Sequence, residues 1–158
     1  MPTIVLSTLA PATPEACFAL SLSVDAHTES MSRSGERAVA GVTSGMMRLD
    51  DTVTWRATHF RIPFRMTSRI TEYEAPRRFV DEQVSGPFHR WWHEHRFDAV
   101  AGGTQMTDVV RYESPAGPLG RLADRVVLTS YMTRLLERRS RWLVGALAEA
   151  ARTMPDTQ

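Results

Sequence analysis

Residues 89–97 read His-Arg-Trp-Trp-His-Glu-His-Arg-Phe, the densest gathering of reactive side chains in the chain. On an extended strand, successive side chains alternate between faces. His89, Trp91, His93, His95 and Phe97 then share one face, and Arg90, Trp92, Glu94, Arg96 and Asp98 the other. The second set is mostly charged and is expected in water; the first is expected to face an interior. Histidines held there need partners, because an unpaired buried polar group costs roughly 1–3 kcal/mol. Register arithmetic supplies them. A loop at Gly86-Pro87-Phe88 sets Ser85 opposite His89, Gln83 opposite Trp91, Asp81 opposite His93 and Phe79 opposite His95. Closing the next turn within Val100 to Gly103 sets Ala99 opposite Thr104, Phe97 opposite Met106, His95 opposite Asp108 and Trp91 opposite Tyr112. Each histidine gains a facing carboxylate, at a Cβ separation of about 4.5–5.5 Å.

Such a cluster can do three things. It can be a satisfied polar network that shapes a cavity. It can orient a polar substituent on an apolar ligand. It can also work as a general acid–base pair, His93 or His95 with Asp81 or Asp108, on a bound carbonyl or hydroxyl. Histidine suits that last role because it titrates near neutral pH. His-x-His also presents two imidazoles on one side of a strand, with His59 or His89 as a third ligand for zinc. The glutamate that follows His-x-His in cupin-type sites is replaced here by Arg96-Phe97-Asp98-Ala99-Val100. Neither a metal nor another cofactor is therefore expected. Cys17, beside Phe18, reads as a small core residue rather than a nucleophile. Arg134, Arg138, Arg139 and Arg141 read as a solvated outer helix face. No Gly-x-Ser-x-Gly, phosphate loop or dinucleotide glycine pattern is present.

The elements that must position the cluster can be read around it. Thr3 to Thr8 is a β-branched run, and Thr13-Pro14-Glu15 opens a short helix from about Pro14 to about Ser21. Val53, Trp55, Ala57 and His59 alternate with polar residues, as do Phe64, Met66, Ser68 and Ile70. One apolar and one Arg-rich face mark an antiparallel sheet with one wet side. Phe79–Ser85, His89–Phe97 and Thr104–Tyr112 follow as hairpin-linked strands. From Leu119 to about Thr153 the apolar residues keep helical spacing, and the natural partner of that helix is the dry face of the sheet.

The chain has 158 residues, 42% hydrophobic and 23% charged, as expected of one globular domain over residues 1–153 with a short tail at 154–158. All 19 basic residues are Arg, which suggests the codon bias of a GC-rich bacterial genome. A net charge of +1 gives no field to gather nucleic acid, and no nucleic-acid partner is expected. One cysteine, no long apolar run and no basic leader point to a cytoplasmic protein without a membrane span. The oligomeric state is expected to be monomer or homodimer.

The layout resembles the START-like (SRPBCC, polyketide cyclase/dehydrase and lipid-transport) helix-grip superfamily. The resemblance runs over nearly the whole chain. It is carried by Ala10-Pro11-Ala12-Thr13-Pro14-Glu15, Val53-Thr54-Trp55 and Ile70-Thr71-Glu72-Tyr73-Glu74-Ala75-Pro76-Arg77-Arg78-Phe79. It continues through Gly86-Pro87-Phe88, His93-Glu94-His95-Arg96-Phe97, Gly102-Gly103-Thr104 and Tyr112-Glu113-Ser114-Pro115-Ala116-Gly117-Pro118-Leu119-Gly120. The resemblance implies an α+β fold in which a curved antiparallel sheet wraps a long C-terminal helix around an internal cavity. It further implies a small apolar ligand of lipid, polyketide or aromatic type, bound without catalysis or cyclised and dehydrated. The expected apolar wall is Trp55, Phe64, Met66, Trp91, Met106, Tyr112 and Tyr131; the expected polar contacts are His59, Asp81, Gln83, His93, His95 and Asp108.

Overall fold

A computed structural model describes residues 1–114 and 127–153. In chain order these form β1 (Thr3–Ala10), α1 (Pro14–Leu22), α2 (Val24–Ser30), β2 (Arg37–Gly41), β3 (Thr52–His59) and β4 (Ile62–Glu74). After these come β5 (Arg78–Ser85), β6 (Arg90–Val100), β7 (Gly103–Glu113) and α3 (Thr129–Thr153). Thr13 caps α1 as expected, its hydroxyl accepting from the Ala16 N–H at 3.3 Å, with Pro14 in the first turn. Ser23 ends α1 and at once caps α2, accepting from the Ala26 N–H at 3.1 Å. The sequence reading did not foresee α2. The expected helix start at Leu119 and the tail at 154–158 lie outside the described residues.

The strands form one antiparallel sheet in the order β1-β7-β6-β5-β4-β3-β2. The helical pair α1–α2 carries the chain from one edge to the other. Two register shifts between β4 and β5, at Thr67/Ser68 and Ile70/Glu72, bend the sheet, since a bulge adds local twist and curvature. Strand β7 can begin close against β1 because Gly103 has φ 142° and no Cβ to strike the Ala10 carbonyl. Helix α3 buries Leu135, Leu136, Arg139, Ser140, Leu143 and Leu147 along one stripe, so it lies over the sheet as the apolar spacing implied. Phe18 from α1 meets Tyr73, Phe79 and Phe97 edge to face, at centroid distances of 5.2, 5.6 and 5.6 Å. None of the described helices is long and apolar enough to cross a membrane.

The expected register holds where the cluster lies. Asp81 faces His93 and Phe79 faces His95 across β5–β6. Trp91 faces Tyr112, His95 faces Asp108, Phe97 faces Met106 and Ala99 faces Thr104 across β6–β7. The expected pairs Ser85–His89 and Gln83–Trp91 do not form, because the β5–β6 ladder stops at Glu82–Trp92. Gln83 instead clamps the turn, its side-chain amide donating to the Phe88 carbonyl at 2.7 Å and accepting from the Phe88 N–H at 3.3 Å.

Candidate functional site

A cavity of about 200 Å³ lies between the inner face of the sheet, α1–α2 and α3. The period-two reading of β3 and β4 holds there: Val53, Trp55, Ala57 and His59 line it, as do Phe64, Met66, Ser68 and Ile70. Asp81, Trp91, His93, His95 and Tyr131 join them from β5, β6 and α3.

Four expected site residues lie elsewhere. Gln83 is committed to the turn. Met106 packs in the apolar core beside Cys17 and Phe18. Tyr112 is fully buried, with its hydroxyl 2.8 Å from the Thr129 hydroxyl. Asp108 stands behind the histidines rather than at the cavity wall.

The polar cluster is tighter than facing pairs alone would make it. His93 Nε2 and His95 Nδ1 each stand 2.9 Å from the same Asp108 Oδ1. On the cavity side, His93 Nδ1 is 3.5 Å and His95 Nε2 3.3 Å from Asp81 Oδ1. Each imidazole thus spans two carboxylates. The Trp91 indole N–H donates to Asp81 Oδ2 at 3.4 Å. Burial, and then the neighbouring charge of His95, push the pKa of His93 below the usual histidine value. Burial works against a charge on His95 too, but contacts with Asp108 and Asp81 outweigh it and hold its pKa up. Burial opposes the Asp108 carboxylate as well; the two histidines overcome it and hold its pKa well below the usual carboxylate range.

Sequence reasoning missed Arg139. Expected in water with its neighbours, it is 6% exposed and lines the cavity. Its Nη2 donates to the Ser21 carbonyl at 3.2 Å, and its Nη1 lies 3.8 Å from Asp108 Oδ1. Its Nε is buried without a partner among the described residues. Arg134 and Arg141 are exposed as expected. A usable signal was present: Leu135, Arg139, Leu143 and Leu147 recur every fourth residue, so Arg139 interrupts an apolar stripe.

Glu36 was also missed. It lines the cavity beside His27, whose Nε2 lies 3.0 Å from its carboxylate, and His27 stacks on Trp55 at 4.2 Å. Burial would raise the Glu36 pKa, but His27, His59 and Arg139 more than offset it and hold it low. His59, pushed down by its own burial, makes a 2.7 Å hydrogen bond with the Tyr131 hydroxyl.

Two expectations for the far face of β6 are corrected or refined. Glu94, expected in water, is 4% exposed; Arg78 at 3.2 Å and Arg96 at 2.5 Å pair with it and make that burial tolerable. Trp92 is covered by the Arg111 guanidinium at 4.8 Å.

Comparison with known proteins gives a consistent frame. The family model described as "Polyketide cyclase / dehydrase and lipid transport" matches residues 11–138. No curated protein matches the chain. Among solved structures, the protein TTHA0849 from Thermus thermophilus is similar at 18% identity and TM-score 0.77, covering 94% of this chain and 99% of that one. The ZhuI aromatase/cyclase from Streptomyces sp. R1128 is similar at 13% identity and TM-score 0.77, covering 96% of each chain. Ara h 8.0201 is similar at 13% identity and TM-score 0.67, covering 94% of this chain and 98% of that one. At these identities the likeness carries the fold alone.

Proposed function

The chain belongs to the polyketide cyclase/dehydrase and lipid-transport family, and on that premise we propose that it binds a small, mostly apolar molecule through an oxygen substituent. The observation that carries this reading is Arg139, a buried cation on an otherwise largely apolar cavity wall, beside the histidine cluster. A hydrogen bond from a guanidinium to a ligand carbonyl, phenol or enolate oxygen is charge-assisted and stronger than a neutral one. Ligand sites typically combine apolar walls with a few placed polar groups. An apolar cavity of about 150 Å³ admits benzene, so about 200 Å³ suits a ligand of one to two rings. The aromatic and short polyketide classes fit that size better than a long-chain lipid.

The reading treats residues 1–153 as a single START-like ligand-binding domain. It sets the protein in the cytoplasm, supported by its lone buried Cys17. Monomer and homodimer are equally compatible with it.

A second reading rests on the two histidines. Their pKa values are driven apart while they share two carboxylates. Pairs pushed apart in this way serve as acid and base in enzymes. On that reading the protein is a cyclase or dehydratase, with His95 as acid and His93 as base.

Native mass spectrometry of freshly purified protein tests the first reading, which expects a retained molecule of one-to-two-ring size. A bare chain mass under all gentle conditions would contradict it. His95→Gln separates the two readings: weakened retention in a folded protein supports the binder. Unchanged retention with turnover abolished supports the enzyme.

A further inference from the structure

We propose that Asp81, His93 and His95 form a binding site for one divalent transition-metal ion of the zinc or iron(II) class, open to the cavity. From the sequence, the candidate third ligand is His59 or His89, and the missing cupin-type glutamate argues against a metal. His59 is engaged by the Tyr131 hydroxyl, and His89 is exposed at the turn before β6. The third ligand is instead Asp81, brought across from β5 by its register with His93.

Donor spacing is the first support. One ligating atom from each of the three residues lies within 4.8 Å of the others. Ligands at about 2.0–2.2 Å around a tetrahedral metal stand roughly 3.3–3.6 Å apart. Asp81 Oδ1 is 3.5 Å from His93 Nδ1 and 3.3 Å from His95 Nε2, which matches two edges of such a tetrahedron.

The second support is the outer shell. Ligating histidines almost always donate their other ring N–H to a carboxylate or carbonyl, which fixes tautomer and orientation. Here the other nitrogens, His93 Nε2 and His95 Nδ1, both stand 2.9 Å from Asp108 Oδ1. With both N–H groups given to Asp108, neutral rings direct the lone pairs of His93 Nδ1 and His95 Nε2 to the side of Asp81. One buried carboxylate therefore orients both rings, and it lies behind them rather than at the cavity.

A hydrogen count gives the third. All four ring nitrogens face carboxylate oxygens. Two neutral imidazoles supply two N–H groups, and one imidazolium beside one neutral ring supplies three. With both carboxylates ionised, at least one lone pair then faces a carboxylate lone pair unless both adjacent rings are charged. A cation between Asp81, His93 and His95 removes the conflict, with Asp81 and Asp108 balancing its charge. Asp81, His93 and His95 all line the cavity, so a metal held by three protein ligands keeps a position for a ligand oxygen. Arg139 beside Asp108 adds positive charge and favours an anionic or carbonyl oxygen there.

The test uses the full chain stripped with chelator and titrated with zinc or cobalt(II) alone, so it does not depend on the identity of any organic ligand. Calorimetry is expected to give one zinc per chain. Cobalt(II) is expected to give the visible spectrum of a low-coordinate nitrogen–oxygen site, with paramagnetically shifted imidazole resonances from His93 and His95. Asp81, at 19% exposure the most accessible of the cluster, is the variant of choice. Asp81→Asn should keep the fold by circular dichroism and lose at least tenfold in zinc affinity; Asp108→Asn should weaken affinity about 10–100-fold with stoichiometry retained. Arg134→Ala, on the exposed face of α3, should leave zinc affinity unchanged. A folded wild-type protein that takes up neither ion would overturn the proposal. So would cobalt(II) that shifts other histidines and spares His93 and His95, a result readable even if every variant unfolds.

Discussion

The imidazole rings of His93 and His95 lie 3.8 Å apart, centroid to centroid, at an interplanar angle of 40°. Two positive charges at that distance repel by about 4 kcal/mol even at an effective dielectric of about 20. The rings therefore cannot both be charged near neutral pH without strong compensation. Contacts with Asp108 and Asp81 outweigh the burial of His95 and raise its pKa, while burial and the charge of His95 lower that of His93. In metal-free protein, NMR titration of the ring resonances should show His95 titrating above the ordinary histidine range and His93 below it. Two histidines titrating together would contradict this arrangement.

Asp108 is the structural keystone of the cluster, 6% exposed and in contact with both rings and Arg139. Asp108→Ala should destabilise by about 3–5 kcal/mol, as expected when one member of a buried charged group is removed. Because the contacting groups form one network, Asp108→Ala combined with His95→Leu should cost less than the sum of the singles. Urea unfolding of the four proteins in the cycle measures it; additive losses would mean the contacts do not couple.

Glu36 supplies a pH dependence of defined sign. Its folded pKa lies below its unfolded one because His27, His59 and Arg139 more than offset its burial. Between the two values the unfolded chain binds the extra proton. The stabilisation is complete above the unfolded value, roughly pH 4, and is lost as pH falls through the folded value. Glu36→Gln should flatten the acid limb of stability against pH, measured by urea midpoints. An acid limb as steep as wild type would contradict the assignment.

The β3–β4 turn carries strain. Phe60 and Arg61 have φ values of 52° and 64°, in the left-handed region that favours Asn and Gly. Phe60 lines the cavity and packs on Tyr131 at 4.3 Å. Replacing Phe60-Arg61 with Asn-Gly should raise stability by about 1 kcal/mol and weaken retention of a cavity ligand. A more stable protein with unchanged retention would mean the turn serves the fold alone.

Which features were readable follows from what fixes them. Sheet register depends on alternation and turn length, so Asp81 opposite His93 and His95 opposite Asp108 could be derived from spacing. The same reasoning placed Trp55, His59, Phe64 and Met66 on the cavity side. Helical approach is set by three-dimensional packing, which spacing encodes only in part: the stripe of Leu135, Leu143 and Leu147 marks the inward face on which Arg139 sits, but not what it meets. Arg139 and Glu36 reach the cavity from α3 and from the segment before β2, and neither was identified. Gln83, Met106 and Tyr112 share the correct strand face, but strand ends and the shelter of α1 assign them to the turn and the core. The burial of Glu94 depended on Arg78 and Arg96, side chains long enough to cover a neighbour.

If an apolar ligand is held by its oxygen at Arg139, calorimetry should distinguish 2-naphthol from naphthalene. Both have the two-ring size that the cavity suits, and they differ by one hydroxyl. The expected result is that 2-naphthol binds about tenfold more tightly, equivalent to one net hydrogen bond of about 1.4 kcal/mol. Arg139→Met should then abolish the preference while naphthalene still binds. Equal affinity for the two in the wild type, or binding of neither, would contradict it.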